Sequence, residues 1–166
     1  TVDMRFEPDP APLAAFPAET VCISVNWDDQ IPILPHLLQN FNKDQCIIVG
    51  GRAATFNSEE IFNTCPQVSI IVRGDGEQTI DELFSQKPLE AITGLSYRKN
   101  GKIYHNQNRR FDTIPEEIYP DRSRRNYSYS VRMGNFDTGI AFDLLSSSRG
   151  CPFNCKFCTF SRNPLG

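Results

Sequence analysis

The sequence predicts an α/β fold in which helices cover both faces of a parallel sheet. Three short apolar, β-branched segments, at residues 21–25, 46–49 and 68–72, have the composition of buried parallel strands. A segment with helical character follows each of them after a short connection. Because such repeats require parallel strands and right-handed crossovers, a doubly wound parallel sheet is expected.

The first strand–helix unit follows a proline-rich lead-in at residues 1–19, which is unsuited to a regular helix. After the strand at residues 21–25, Asp28 and Asp29 are candidate helix caps. Apolar residues then recur at near-helical spacing, and the two prolines of this segment fall where first helical turns tolerate them. A helix reaching Asn42 is therefore predicted.

The second and third units each have glycines after the strand. Gly50 and Gly51 end the second strand, and residues 58–62 have the pattern of a short capped helix. The third strand is ended by residues 74–77, and a helix is expected from residue 79 to about residue 85. These connections place two glycine-containing loops at the same edge of the predicted sheet.

That edge is a candidate ligand site, because doubly wound sheets bind ligands beyond the carboxyl ends of their strands. Glycine lets the backbone approach a ligand closely, and a following helix start favours anionic groups. The alternative is that the glycines only turn the chain, since neither loop is a G-x-G-x-x-G fingerprint. The candidate cofactor-binding residues here are Gly50, Gly51, Gly74, Asp75, Gly76 and Glu77.

A hairpin and a basic segment follow the three units. Residues 92–103 are predicted to form a β-hairpin, because Asn100-Gly101 is a pair typical of a two-residue hairpin turn. Arginines and tyrosines are then interleaved, a composition that can bind phosphates and stack bases. The simpler interpretation is a linker whose arginines meet the acidic half of the chain. The arginines concerned are Arg109, Arg110, Arg122, Arg124, Arg125 and Arg132.

Three cysteines crowd into one short loop near the C-terminus. Cys151, Cys155 and Cys158 have the spacing C-x3-C-x2-C. A structural zinc site normally needs four protein ligands, and disulfides would leave one of three thiols over. Three thiolates suit a [4Fe–4S] cluster with one iron open to a substrate or cofactor. The alternative is a zinc-binding or purely structural loop.

Four other residues have simpler interpretations. Cys22, Cys46 and Cys65 occur singly in or beside apolar segments, where cysteine behaves as a small core residue. Trp27 follows the first strand, at the presumed ligand edge. It is expected to pack in the core or, alternatively, to line a pocket.

Charge is divided unevenly along the chain. Residues 1–90 contain 14 acidic and 5 basic residues, and residues 91–166 contain 6 and 12. The net charge of −3 gives no sign of a general nucleic-acid binder, and no apolar run is long enough to cross a membrane. We therefore expect a cytoplasmic protein with an α/β domain at residues 1–90, a hairpin and connector at 91–140, and a further domain beginning at 141.

The cysteine loop, with Arg149-Gly150 before it and Phe157 inside it, resembles that of the radical S-adenosylmethionine (SAM) enzymes. The resemblance implies that Cys151, Cys155 and Cys158 hold a [4Fe–4S] cluster, and that SAM chelates the open iron and is cleaved to a radical. It further implies that Phe157 lies near the adenine of SAM. A small-molecule substrate and a reductant such as a flavodoxin or ferredoxin are implied partners.

The acidic half is similar to the cobalamin (B12)-binding domain, of flavodoxin-like fold, that precedes the barrel in one radical SAM subfamily. The similarity rests on Val49-Gly50-Gly51, on residues 72–77 and on the hairpin. Two features differ: no D-x-H-x-x-G motif occurs, and the first strand–helix unit of that domain has no counterpart. Cobalamin as a cofactor and a shortened domain without cobalamin both remain open.

The length indicates a truncated fragment, because a radical SAM barrel needs on the order of 200 residues and only eight follow Cys158. Residues 142–146 would be the first barrel strand. The predicted function is radical methylation, cyclisation or rearrangement by the full-length enzyme. The alternatives are a B12-independent enzyme resembling the tRNA methylthiotransferases and a non-catalytic zinc-binding or interaction module.

Overall fold

The computed structural model describes residues 17–109 and 128–143, together with residues 4, 9, 13, 121, 123, 155 and 156. The two continuous segments belong to different compact units. We call residues 17–109 the α/β unit and residues 128–143 the ribbon. The predictions for the cysteine loop fall on residues of which only Cys155 and Lys156 are described.

Five strands form the sheet of the α/β unit, in the order β1-β2-β3-β4-β5. The first three strands are parallel, as predicted, and the last two are antiparallel. The mixed sheet is consistent with a flavodoxin-like fold. The strands are β1 (Thr20–Ser24), β2 (Cys46–Gly50), β3 (Val68–Val72), β4 (Leu95–Lys99) and β5 (Lys102–His105).

The last two strands are the predicted hairpin. Asn100 and Gly101 both have positive φ, 52° and 74°, as the two central residues of a tight hairpin turn require. Strand β4 pairs with β3, so the hairpin continues the sheet. The α/β unit therefore extends through this hairpin.

Four α-helices accompany the described strands of the α/β unit: α1 (Leu34–Leu38), α2 (Arg52–Phe56), α3 (Ser58–Thr64) and α4 (Glu77–Phe84). Short 3-10 turns occupy Asp28–Gln30 and Leu89–Ala91. Within the described part of the chain, no helix has the length and apolar character needed to cross a bilayer.

The first helix is much shorter than predicted. A 3-10 turn replaces its expected start, and α1 ends at Leu38 rather than reaching Asn42. The Asn40 amide donates to the carbonyls of His36 and Leu37 at 3.3 and 3.0 Å. This side chain satisfies carbonyls that continued helix would have bonded, so it competes with helix extension.

The core has two parts because the sheet is covered on both faces. Helices α1, α2 and α3 bury Leu34, Ala54 and Phe62 against one face, with Val49 of β2 among the contacts. Helix α4 lies over the other face, where Ile48, Ile70 and Leu95 are buried. Helices cover both faces as predicted, but the helices between the parallel strands all lie on one face, and β1, β2 and β3 follow one another without a reversal of order.

The ribbon consists of β6 (Tyr129–Met133) and β7 (Phe136–Phe142), paired antiparallel. Its pairing shifts register between Ser130 and Arg132. This hairpin was not predicted. Of the barrel strand expected at residues 142–146, Phe142 is the last residue of β7, and residues 144–146 lie outside the described part of the chain.

Candidate cofactor-binding edge and cysteine loop

The carboxyl ends of β1, β2 and β3 meet at one edge of the sheet. We call residues 25–30, 50–57 and 73–77 the carboxyl edge. In the strand register Ser24 pairs with Gly50, and Val49 pairs with Ile71, so the three strand ends are adjacent. All six candidate cofactor-binding residues of the α/β unit therefore lie together there: Gly50, Gly51, Gly74, Asp75, Gly76 and Glu77.

At Gly51 the chain itself takes the space that a side chain would need. Its φ is +100°, and a Cβ atom would lie 2.6 Å from the Val25 carbonyl oxygen and 2.7 Å from Asn26 Oδ1. Real Cβ contacts are not that short. Glycine here allows the end of β1 to close against the start of α2, a structural requirement that does not depend on a ligand.

Hydrogen bonds join the three loops of the carboxyl edge. Asn26 Oδ1 accepts from the Arg52 backbone N–H at 3.3 Å. The Thr55 hydroxyl donates to the Gly51 carbonyl at 2.8 Å and accepts from the Gly74 N–H at 2.9 Å. Because these bonds exist within the chain itself, the edge is held in shape before any ligand binds.

The start of α4 is acidic. Glu77 is the first residue of the helix, and Asp75 lies two residues before it. A carboxylate in the first turn compensates the helix dipole. The start of α4 therefore already carries an acidic side chain of the chain itself.

Beyond β5, residues 106–109 form what we call the exit strap. The Arg73 guanidinium donates to the carbonyl oxygens of Leu95 and Asn106 and to the Asn108 side chain. Burial lowers the pKa of Arg73. The Gly94 N–H donates to the Gln107 carbonyl at 2.8 Å. The strap is thereby fixed to the end of β3 and the start of β4.

Arg109 completes this attachment by bonding to α4. Its guanidinium donates to Thr79 Oγ1 at 3.0 Å, to Gln78 Oε1 at 3.1 Å and to Glu82 Oε2 at 2.8 Å. One arginine of the basic segment therefore meets the acidic half of the chain, in keeping with the linker interpretation. Arg132 faces Asp137 within the ribbon at 4.0 Å, and the other four arginines lie outside the described residues.

Two of the predicted core residues are in fact solvent-exposed. Trp27 is 61% exposed, so the core-packing prediction is wrong. Cys22 is also exposed, because β1 is the outermost strand of the described sheet. Cys46 is half-buried, and Cys65 is buried as predicted. Burial raises the pKa of the Cys65 thiol, as expected for an unreactive core cysteine.

Neither histidine belongs to the carboxyl edge. His36 is on α1, and the carboxyl edge contains no histidine. Both ring nitrogens of His105 are bonded: Nδ1 to Ser96 Oγ and Nε2 to Glu59 Oε1, each at 2.8 Å. The sequence did not reveal these two hydrogen bonds, because Glu59 is on α3, Ser96 on β4 and His105 on β5.

Of the cysteine loop, the structure describes Cys155, which is half-buried, and Lys156. Cys151, Phe157 and Cys158 lie outside the described residues, as does the geometry of the three thiols together. Elsewhere in the described segments, no group of three or more histidine, cysteine or acidic side chains is placed to hold a metal ion. The metal-binding prediction therefore rests on the donor set itself, since thiolates are the ligands that iron–sulfur clusters require.

No protein-family model matches the chain. It is similar to an uncharacterized methyltransferase of Pyrococcus horikoshii, with 34% identity over 133 residues, which are 75% of this chain and 27% of that protein. It is also similar to the anaerobic magnesium-protoporphyrin IX monomethyl ester cyclase of Synechocystis, with 25% identity over 119 residues, covering 68% of this chain and 22% of the cyclase.

A third similarity is to the tRNA-2-methylthio-N(6)-dimethylallyladenosine synthase of Rickettsia prowazekii, at 28% identity over 130 residues, 74% of this chain and 23% of the synthase. The chain thus spans about a quarter of the length of these curated relatives. All three relatives carry the names of enzymes: a methyltransferase, a cyclase and a synthase.

Proposed function

We propose that this chain is part of a radical SAM enzyme whose [4Fe–4S] cluster is held by Cys151, Cys155 and Cys158. The observation that carries the proposal is the C-x3-C-x2-C spacing of these cysteines. Three thiolates leave the fourth iron of such a cluster without a protein ligand. The similarity to a methyltransferase, a cyclase and a methylthio-transferring synthase supports it independently.

When bound, the cluster and SAM supply an electron and a carbon-centred radical for chemistry on an unactivated substrate. The role of this chain is to hold and surround them. The three thiolates anchor the irons, and Phe157 provides an apolar ring beside the adenine of SAM. In the same proposal residues 141–166 begin the radical SAM domain, the substrate is a small molecule, and a flavodoxin or ferredoxin supplies the electron.

We include cobalamin as the ligand of the α/β unit. The fit is partial: the carboxyl edge is held in shape and has exposed aromatic side chains, but it has no histidine for the cobalt. Binding would therefore involve the faces and amide rim of the corrin ring rather than a protein ligand to the metal. An edge without this cofactor, serving as a platform for substrate or partner, is the alternative.

A second candidate function is that of a B12-independent enzyme resembling the tRNA methylthiotransferases. The similarity to the Rickettsia synthase favours it. The interleaved arginines and tyrosines of the basic segment are compatible with RNA contacts. Against it, the two arginines described, Arg109 and Arg132, face acidic side chains of their own chain.

The proposed metal centre is tested by anaerobic reconstitution of the full chain with iron and sulfide. We expect about four irons per chain and the broad visible absorption of iron–sulfur charge transfer. Cys151→Ala, Cys155→Ala and Cys158→Ala should each lose most of this absorption. Cys22→Ala is the matched control, because Cys22 is an exposed cysteine remote from the loop in sequence. Stoichiometric zinc without iron uptake would instead establish the zinc-binding module.

A further inference from the structure

The ribbon separates its side chains into an apolar face and a polar face. Its pairing sets Tyr129 opposite Phe142 and Met133 opposite Phe136. Because alternate residues of a strand share a face, the large apolar side chains of both strands fall on the same side. We call this side the ribbon face, and its apolar residues are Tyr129, Val131, Met133, Phe136, Ile140 and Phe142.

The ribbon face is exposed along its whole length. Met133 and Phe136, on either side of the turn, are 72% and 69% exposed, and Ile140 is 62% exposed. Val131 and Phe142 are 39% and 41% exposed. Contiguous apolar surface of this kind marks an interaction site, and an isolated two-stranded hairpin is only marginally stable in water. The ribbon face is therefore expected to have a partner that covers it.

The polar groups of the ribbon pair with one another on the opposite face. The Ser130 hydroxyl donates to Asp137 Oδ2 at 2.6 Å, and Asp137 Oδ1 accepts from the Gly139 N–H at 2.9 Å. Arg132 Nε lies 4.0 Å from Asp137 Oδ2. Polar contacts therefore occupy one side of the ribbon, and the side available to a partner is apolar.

The charge of the ribbon narrows the choice of partner. Its residues include one cation, Arg132, and two carboxylates, Asp137 and Asp143. Nucleic acids and anionic lipid surfaces are bound mainly through excess positive charge, so neither is favoured by this segment. A surface that is itself apolar and uncharged fits the ribbon face better.

We propose that the ribbon face is the contact between two copies of this chain. The same face on a second copy offers apolar residues and no charged one, so the two copies bring no like charges together. A two-fold arrangement stacks the ribbons face to face, about 10 Å apart as in packed sheets, and buries both faces in one apolar layer. This inference goes beyond the proposed function and does not depend on the cysteine loop.

The size of the ribbon face limits the strength of the dimer. Each copy contributes six large apolar residues, whereas each partner of a standard stable interface contributes about 20–30 residues. We therefore expect a weak dimer, with a Kd on the order of 10–100 µM.

Sedimentation velocity of the full chain tests the association. Over about 2–200 µM the average mass should rise from that of one chain towards that of two. Reducing conditions are kept throughout, because the exposed Cys22 could otherwise join two copies by a disulfide.

A second measurement locates the contact without any substitution in the ribbon. The chain has two methionines, Met4 and Met133, so methyl-labelled methionine gives two resonances, which Met4→Leu assigns. The Met133 methyl resonance should shift with concentration in step with the average mass, because the methyl group becomes buried in the dimer.

Two variants of similarly exposed phenylalanines give the matched comparison. Phe136→Ser should weaken association about tenfold or more, since a symmetric contact loses the ring from both copies. Phe84→Ser is the control, because Phe84 is 59% exposed but is the last residue of α4 in the α/β unit. It should dimerise as the unmodified chain does.

The possible outcomes divide cleanly. A chain that stays monomeric up to 200 µM, or a dimer whose Met133 resonance does not move, would overturn the proposal. Equal dimerisation of the two variants would also overturn it, by placing the contact elsewhere. A monomeric chain whose Met133 resonance responds to phosphatidylserine vesicles would assign the ribbon face to a lipid surface instead.

Discussion

Backbone conformation and surrounding packing both exclude a side chain at Gly51. Its φ of +100° is strained for other residues, and a Cβ would meet Val25 and Asn26 at 2.6–2.7 Å. We expect Gly51→Ala to lower the free energy of unfolding by about 2–6 kcal/mol, the sum of the conformational penalty and overpacking. Urea denaturation measures this change.

Gly50 provides the comparison for that prediction. A Cβ added there would lie 3.7 Å from the Val72 carbonyl, which is ordinary contact. Gly50→Ala should therefore change stability by less than about 1 kcal/mol. Equal losses in the two variants would show that the close approach at Gly51 is not what requires glycine.

The pKa of Glu82 gives a prediction for acid stability. Burial alone would raise it, but hydrogen bonds from Arg109 and Lys87 outweigh this and hold it below its ordinary value near 4.5. A carboxyl with a lowered folded-state pKa stabilises the protein above the unfolded pKa, and this contribution is lost as pH falls through the folded value. As the pH is lowered below 4.5, the urea concentration at the midpoint of unfolding should therefore decrease, and Glu82 should account for part of this decrease.

The Glu82→Gln variant measures how much of this loss of stability comes from Glu82. The variant should be less stable than the unmodified chain at pH 7, and the difference should shrink as the pH falls below 4.5 and through the lowered folded-state pKa of Glu82. A difference that stayed constant over this range would mean that the charge of Glu82 does not contribute to holding Arg109.

At the scale of single elements, Gly101 in the hairpin turn requires glycine because of its backbone conformation alone and not because of close packing. Gly101 has φ of 74°, and nothing lies within 4 Å of an added Cβ. Gly101→Ala should cost about 1–2 kcal/mol, from the left-handed conformation alone. Thermal unfolding of Gly101→Ala beside Gly51→Ala gives the comparison. A loss at Gly101 as large as at Gly51 would contradict the distinction between strain and close packing.

The strands were predictable because their signals are local. Residues 68–72 form β3 as predicted, and Asn100-Gly101 forms the expected turn, since apolar β-branched runs and left-handed residues determine them directly. The helices were less predictable. The extent of α1 depends on the Asn40 side chain, and α2 is a single five-residue turn with too few residues to show a period.

The candidate site was predictable in position more than in detail. Glycines after two strands indicated the carboxyl edge, but the packing of Gly51 against Val25 depends on how β1 and α2 meet. Trp27 was expected in the core because an indole has a large apolar surface. It is exposed and immediately precedes the turn at Asp28–Gln30, which no pattern of apolar residues reveals.

For the whole molecule, the uneven charge along the sequence has counterparts among the described ion pairs, since Lys99 of the basic half also pairs with Glu90 of the acidic half. Arg109, from the basic half, bonds to Glu82 of the acidic half, and the exit strap that contains it is attached to β3, β4 and α4. The cysteine loop supplies three thiol ligands, and the described residues of the α/β unit contain no comparable group of metal ligands. We expect this loop to bind a cluster with an open iron.

Electron paramagnetic resonance of the reduced, reconstituted chain tests that claim most directly. A reduced [4Fe–4S] cluster with an open iron should give a spectrum that changes when SAM is added, because SAM becomes a ligand of that iron. The control is S-adenosylhomocysteine, which has the amino and carboxylate groups but no sulfonium to cleave. A cluster spectrum identical with and without SAM, or no iron-based spectrum at all, would contradict the account.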